Sequence, residues 1–302
     1  MIKLEALRVF VTVAEIGNIK EAAERLHRTP SAVSMALKQL EEDVGGAIFE
    51  TDRKNSLTAL GSFMLDAGRT QVLSFDKAIA AIRAFAQARI GRLTLACVPS
   101  VAANLIPSLF LQFVEGRPDM EIELYDIDSR NVRLMVERGQ ADIGIAGKPM
   151  SDALVSFEPL FRDRFRVLCG SSSRLARLSR PVRWSDLRGV GLILNGASER
   201  ISARQYQALA EKASMTVRNV TSLVALVKAG SGVTLLPALA TTDLPESIIA
   251  LDLADATVHR VVGLLERRGA TRSPVAAAFR EFMLDQMPTL AERLGLEGGY
   301  RI

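Results

Sequence analysis

Apolar positions recur at Leu4, Leu7, Val11 and Ala14, a helical spacing that stops at Gly17 and predicts an amphipathic helix over 4–16. Asn18 is placed to cap a second helix, 19–26, in which Ala22, Ala23 and Leu26 share one side. A turn at His27-Arg28-Thr29 follows. Thr29 before Pro30 predicts the start of a third helix, running to about Val44, because proline loses nothing at the first helical position. At about 100° per residue, Val33, Leu37, Leu40 and Val44 gather on one side of it and Ser31, Ser34, Met35 and Lys38 on the other. Two short helices joined by a tight turn, the second with such a face, form a helix-turn-helix pattern. Hydroxyls, a flexible apolar side chain and a long cation suit a major groove, and solvent accepts them equally well.

After Gly46 the pattern changes to two short extended runs around Asp52-Arg53-Lys54-Asn55, a hairpin tip carrying the adjacent cations Arg53 and Lys54. Beside a helix-turn-helix, such a wing can touch the neighbouring DNA backbone. Thr58 then starts a long helix to about residue 89, in which Leu65, Gly68, Val72, Phe75, Ile79, Ile82 and Ala86 alternate steps of three and four. That heptad seam predicts a helical partner, with Leu65, Val72, Phe75, Ile79 and Ile82 as dimerisation positions. A helix packed only on its own domain would usually show a wider stripe of period 3.6.

From Gly91-Arg92 onward, strands alternate with helices: strand 93–98, helix 102–114, strand 121–125, helix 131–138 and strand 142–146. This βαβαβ order predicts a parallel sheet with ligands at the carboxyl ends of its strands. A second set follows, with strands at 165–169, 190–194, 216–220 and 233–236 and helices at 202–213 and 222–229. A strand at 261–265 and a helix at 274–286 are expected to return to the first lobe. Loops after these strands carry Pro99-Ser100, Asp128-Ser129, Gly147-Lys148, Asn195 to Ser198 and Thr221-Ser222, a set suited to a small polar or anionic ligand. Each of these residues alone serves equally as a helix cap.

Composition narrows the chemistry. The 302 residues carry a net charge of +4, which invites a nucleic-acid reading, yet residues 1–60 hold 8 basic and 9 acidic residues. The excess lies at 160–190, where eight arginines face Asp163 and Asp186; a solvated face is the simplest reading of that cluster. Cys97 and Cys169, 72 positions apart, exclude a zinc ribbon and a disulfide framework and read as buried free thiols. With His27 and His259 as the only histidines, catalytic triads and multi-histidine metal centres lack material. No cofactor is expected. No apolar run reaches the roughly 18 residues of a membrane span, and Glu5 and Arg8 interrupt any signal peptide, so the chain is expected in the cytoplasm, away from membranes.

From Leu4 to Gly61 the chain resembles the winged helix-turn-helix of LysR-type transcriptional regulators. The run Ala22-Ala23-Glu24-Arg25-Leu26, the triplet Ala32-Val33-Ser34, Leu40-Glu41-Glu42 and Phe49-Glu50 match that family in order and spacing. The resemblance implies DNA contacts at Thr29, Pro30, Ser31, Ser34, Met35 and Lys38 and at Arg53 of the wing. Three positions depart from the family. Lys20 stands where Ser or Thr usually caps the second helix, Pro30 where Gln is usual, and Met35 where Arg is common. The last exchange gives up a bidentate guanine or phosphate contact, so the target sequence is its own.

Residues 91–302 resemble the family's effector-binding domain, similar to type 2 periplasmic binding proteins. The implied architecture is α + α/β: a winged helix-turn-helix over 1–58, a linker helix over 59–90 and a two-lobed sensor over 91–302. Its first lobe takes about 91–162 and 266–302, its second about 163–265. Implied effector contacts are Ser100, Val101, Ser129, Gly147, Asn195, Ser198 and Thr221. The resemblance further implies double-stranded promoter DNA, a small-molecule effector, a dimer or tetramer of the chain and RNA polymerase as partners. A solute-binding protein without DNA function would carry a signal peptide in place of the helix-turn-helix. An α/β enzyme would need a nucleophile constellation or a phosphate-cradling glycine motif, and the chain has neither.

Overall fold

The computed structural model describes residues 1–50, 56–149 and 153–298. The chain falls into two compact units, Met1–Ala84 and Phe85–Ile302.

In the first unit, α1 (Leu4–Ile16) ends at Gly17, whose left-handed backbone lets its N–H reach the Val13 carbonyl. The cap missing at Lys20 is supplied by Asn18, whose side chain accepts from Lys20 N at 2.8 Å at the start of α2 (Ile19–Arg25). Thr29 Oγ1 accepts from Ala32 N at 3.2 Å to open α3 (Pro30–Val44). Phe10, Leu37, Leu40 and Ile48 form the fully buried centre, with Phe49 edge-on to Phe10 at 5.6 Å. Among the described residues, the two extended runs meet where Phe49 bridges Leu57 and Glu50 N donates to Ser56 O at 2.9 Å. Arg53 and Lys54 lie outside the described residues.

Thr58 Oγ1 accepts from Gly61 N at 2.9 Å and caps α4 (Ala59–Ala86). Its heptad seam has two fates. Gly68 is buried, and a Cβ there would stand 3.0 Å from Leu7 Cδ1; Leu65 and Val72 pack half-buried on the same core. Two ion pairs run alongside, Arg69 Nε to Glu15 at 2.9 Å and Arg8 to Asp76 through both oxygens at 2.7 and 2.5 Å. Further along, Phe75 and Ile82 remain 45% and 63% exposed. Length explains this: 28 residues of helix extend about 42 Å at ~1.5 Å per residue, roughly twice the reach of the 13-residue α1.

In the second unit, β1 (Gly91–Cys97) leads into α5 (Pro99–Asn104) and α6 (Ile106–Phe113). The single helix expected over 102–114 is therefore broken and starts earlier, because Pro107 has no N–H to continue α5. β2 (Met120–Asp126), α7 (Ser129–Glu137) and β3 (Ile143–Gly147) complete the βαβαβ unit, and β1 lies parallel to both β2 and β3. β4 (Val155–Gly170) begins ten residues before the expected 165–169 strand; charged residues and Pro159 mask its first half, and the register shifts between Pro159 and Phe161.

The chain continues through β5 (Ile193–Leu194), α8 (Arg204–Ala210), β6 (Met215–Thr216), α9 (Val220–Lys228), β7 (Thr234–Pro237), β8 (Ile248–Asp252), β9 (His259–Arg267), α10 (Pro274–Arg293) and β10 (Glu297–Gly298). β8 was not anticipated. The second lobe departs from a simple repeat of the first: its sheet is built on antiparallel pairing of β7 and β8 with the far half of β4. β9 joins the first sheet, antiparallel to β3, so the strand expected over 261–265 returns to the first lobe and runs two residues longer at each end. α10 passes the expected end at 286, because buried Met287, Leu290 and Ala291 hold it to the core despite Pro288.

Candidate functional site

The outward side of α3 is solvent-facing along its length. Thr29, Pro30, Ser31, Ser34, Met35 and Lys38 are all exposed, Met35 to 73%, while Val33, Leu37 and Leu40 are buried beneath them. An apolar side chain kept this open between hydroxyls and a cation forms a surface that can read base edges and thymine methyls. Thr29 differs from the rest, since its hydroxyl caps α3 and lies 3.1 Å from Ser31 Oγ.

A second site lies at the carboxyl ends of the first-lobe strands. Val98, Pro99, Ser100, Asp128 and Ser129 face Asn195, Gly196, Ala197, Arg218, Val220, Leu236, Pro237 and Ala240 of the second lobe across a cavity of about 70 Å³, and Arg260 of β9 reaches into it. Ser100, Ser129 and Asn195 all line this cavity. Gly147 borders the site, its N–H donating to Ser129 Oγ at 3.4 Å. Val101 does not line it; it is buried in the first-lobe core, and Thr221 is exposed outside the lining.

Asn195 and Ser198 use their polar atoms inside the second lobe. Asn195 Nδ2 donates to Thr234 Oγ1 and Leu235 O, and its Oδ1 accepts from Ala197 N and Ser198 N. Ser198 Oγ donates to Asn195 O and accepts from Tyr206 OH at 2.7 Å. These two residues shape the loop that walls the cavity.

The charged centre of the cavity was not legible from sequence. Arg260 donates to Asp163 Oδ2 through Nε at 3.2 Å and Nη2 at 2.7 Å, and through Nη2 to Ser100 Oγ at 2.6 Å. Asp163 is fully buried, and its Oδ1 accepts from Leu239 N at 3.2 Å. Burial lowers the Arg260 guanidinium from its ordinary value against the pull of Asp163. No local pattern marks either residue: Asp163 lies among arginines, and Arg260 opens an apolar strand.

The arginine cluster at 160–190 divides: Arg162, Arg164 and Arg166 line a concavity with Phe165 and Glu297, while Arg174, Arg177, Arg180, Arg183 and Arg188 are exposed. Arg164 pairs with Glu297, Arg166 with Asp252 and Arg180 with Asp186, while Arg174 donates to the carbonyls of Asp186 and Arg188. Hydrogen bonds from Arg180 hold the Asp186 carboxyl down at about 2. Both cysteines are buried; burial pushes the Cys97 thiol up to about 12 and raises Cys169 as well.

Residues 4–62 match the model of the bacterial regulatory helix-turn-helix protein, lysR family, and residues 86–288 match the LysR substrate binding domain. The chain belongs to the LysR family of transcriptional regulators. YbhD of Escherichia coli (strain K12), described as an uncharacterized HTH-type transcriptional regulator, is 29% identical over 290 residues, covering 94% of this chain and 91% of its own. The HTH-type transcriptional regulator ClcR of Pseudomonas putida is 30% identical over 244 residues, 76% of this chain and 81% of its own. Among solved structures, the LysR family regulator CbnR superposes with a TM-score of 0.75 at 21% identity, covering 93% of this chain and 100% of its own. Full-length CbnR complexed with its target DNA gives 0.74 at 20% identity, covering 95% and 100%. At these identities the likeness shows the fold. As a LysR regulator the chain binds DNA through its helix-turn-helix and a small-molecule effector through its α/β unit; it is a regulator, not an enzyme. No helix among the described residues is long and apolar enough to cross a membrane.

Proposed function

We propose that α3 enters the major groove of promoter DNA with Ser31, Ser34, Met35 and Lys38 towards the bases and phosphates, Thr29 and Pro30 setting its entry, and Arg53 and Lys54 of the wing on the adjacent backbone. The exposure of Met35 and Lys38 over the buried Val33, Leu37 and Leu40 carries this reading. CbnR, which shares this fold, is crystallised with its target DNA, in keeping with a DNA-binding role for the unit. The head takes residues 1–58, the linker helix 59–90 and the sensor 91–302; two chains pair through the open half of α4, as a dimer or a tetramer. An effector in the cleft between the lobes shifts the population of lobe arrangements in proportion to its differential affinity. Contact with RNA polymerase, in the cytoplasm, completes the proposal.

The test is a gel shift on DNA upstream of the protein's own gene, at matched salt. Binding there should exceed that on unrelated DNA, and Lys38→Ala should weaken both and lower the salt slope by about 1. Equal binding of Lys38→Ala, Ser34→Ala and Met35→Ala to the parent's site would sink the docking geometry.

A further inference from the structure

The strand ends opposite the cleft carry another concavity, of about 480 Å³, between the turn that precedes β3 and the loop that joins β9 to α10. Arg267, Arg268 and Arg272 line it together with two carboxylates, Asp142 and Glu266. Glu266 is buried and already committed. Arg272 grips it with Nε and, at 2.7 Å, with Nη2, and Arg280 Nε donates to it at 3.1 Å. Asp142 Oδ2 accepts from Thr94 N at 2.8 Å, and Arg268 Nε donates to Val155 O at 3.1 Å.

The remaining donors are less occupied. The grip on Glu266 uses one fork of the Arg272 guanidinium and fixes its plane, while Nη1 makes no hydrogen bond among the described residues. The Arg267 guanidinium makes no hydrogen bond or ion pair among them. It lies against Gly139, where an added Cβ would stand 3.5 Å from Nη1. Gly139 holds a left-handed backbone at φ 68°, which favours a residue without a side chain and keeps that approach open. Thr271 Oγ1 and the N–H groups of Gly269 and Thr271 make no hydrogen bond among the described residues either. Two arginines with hydroxyl and backbone donors between them match a group that has several acceptor oxygens and more than one negative charge.

From this arrangement we propose that the concavity is a second ligand site of the α/β unit, binding a phosphorylated small molecule through its phosphoryl group, with Arg267, Arg272 Nη1 and Thr271 as donors. A carboxylate offers two oxygens and one charge and would leave part of this donor set unused. A phosphate monoester offers three oxygens and a charge of about −1.5 to −2 at pH 7. The volume lies in the range of small-molecule sites and exceeds what a bare phosphate fills, so the ligand carries an organic body. The site shares no lining residue with the cleft, so either reading can fail without the other.

The probes are phenyl phosphate and phenyl sulfate at pH 8 and constant ionic strength, titrated into full-length protein by calorimetry. Phenyl phosphate should bind with a Kd of about 1 mM or tighter, and at least about tenfold more tightly than the singly charged sulfate ester. Arg267→Gln removes no hydrogen bond or ion pair among the described residues, so its melting temperature should match the parent's while phenyl phosphate binding weakens at least about tenfold. Arg267→Lys should recover part of that loss, and Ser100→Ala, in the cleft, should bind phenyl phosphate like the parent. Equal affinity for the two esters, undiminished binding by Arg267→Gln, or loss on Ser100→Ala alone overturns the proposal. Absence of phenyl phosphate binding, with a fall of about 1 in the salt slope of promoter binding by Arg267→Gln, assigns the arginine to the DNA backbone and overturns it as well.

Discussion

The side-chain amide of Asn104, at the last position of α5, donates to the carbonyl of Leu239 at 2.8 Å across 135 positions of sequence. The same side chain donates to Ser100 O at 3.2 Å and accepts from Thr242 Oγ1 at 2.7 Å. One amide thus ties the helix that carries Ser100 to the turn after β7, whose Leu239 N–H also binds Asp163. Asn104→Ala leaves a partly buried carbonyl without this donor and should cost about 1–3 kcal/mol, read as a lower urea midpoint. Asn104→Asp keeps the acceptor for Thr242 but loses the donor, so a midpoint equal to the parent's would contradict the role given to the N–H.

Gly61 and Gly68 both lie on the packed side of α4, yet they should respond differently to a methyl group. A Cβ at Gly61 would fall 2.0 Å from the Ile48 carbonyl oxygen, backbone of the wing root, whereas at Gly68 it would meet the side chains of Leu7 and Val11 at 3.0 and 3.1 Å. Gly61→Ala should therefore destabilise the first unit by about 1–3 kcal/mol or more and weaken DNA binding with it. Gly68→Ala should cost under about 1.5 kcal/mol, since side chains can shift. Thermal melts of the two full-length variants compare them directly, and equal losses would show that the wing root yields.

The divided seam of α4 separates stability from assembly. Ile82 is 63% exposed, so Ile82→Asp should leave the melting of the single chain within about 0.5 kcal/mol while shifting sedimentation towards the monomer. Leu65→Asp, by contrast, places a charge against the α1 core and should lower the melting temperature outright. An Ile82→Asp variant that sediments like the parent would remove this half of the helix from the interface.

The thiols should be silent to modifying reagents. With Cys97 held at about 12 by burial, it remains protonated well beyond pH 8, and Cys169 is buried and raised too. Native protein should show no reaction with a disulfide reagent at pH 8, and both thiols should titrate after unfolding. The raised value of Cys97 also sets a sign. Its contribution to stability is whole below the unfolded thiol's ordinary 9.0 and is lost as pH climbs from there towards 12. Rapid native labelling would show that the strands around Cys97 open freely.

Much of the DNA-binding unit was legible because its signals act within a few residues. Asn18 and Thr29 cap the helices they precede, and the apolar positions of α3 turn inward as a simple helical count requires. In the second unit, the parallel order of β1, β2 and β3 followed from alternation alone. Pro107 and Pro288 show where local rules mislead. The first breaks a helix inside an apolar run, and the second is carried through a helix by the packing of Met287 and Leu290.

What the sequence determined by itself is therefore the helices of the first unit, the parallel β1, β2 and β3 and the outward face of α3, since caps and apolar periods depend on neighbours one to four positions away, while its run of motifs carried the family resemblance. Only the tertiary structure decided which charged groups meet at the cleft. Asp163 and Arg260 lie 97 positions apart, and Ser100 and Arg260 lie 160 apart. Their charge and hydrogen-bond directions acquire meaning only where β4, β9 and α5 meet, because burial turns an ordinary ion pair into an oriented donor.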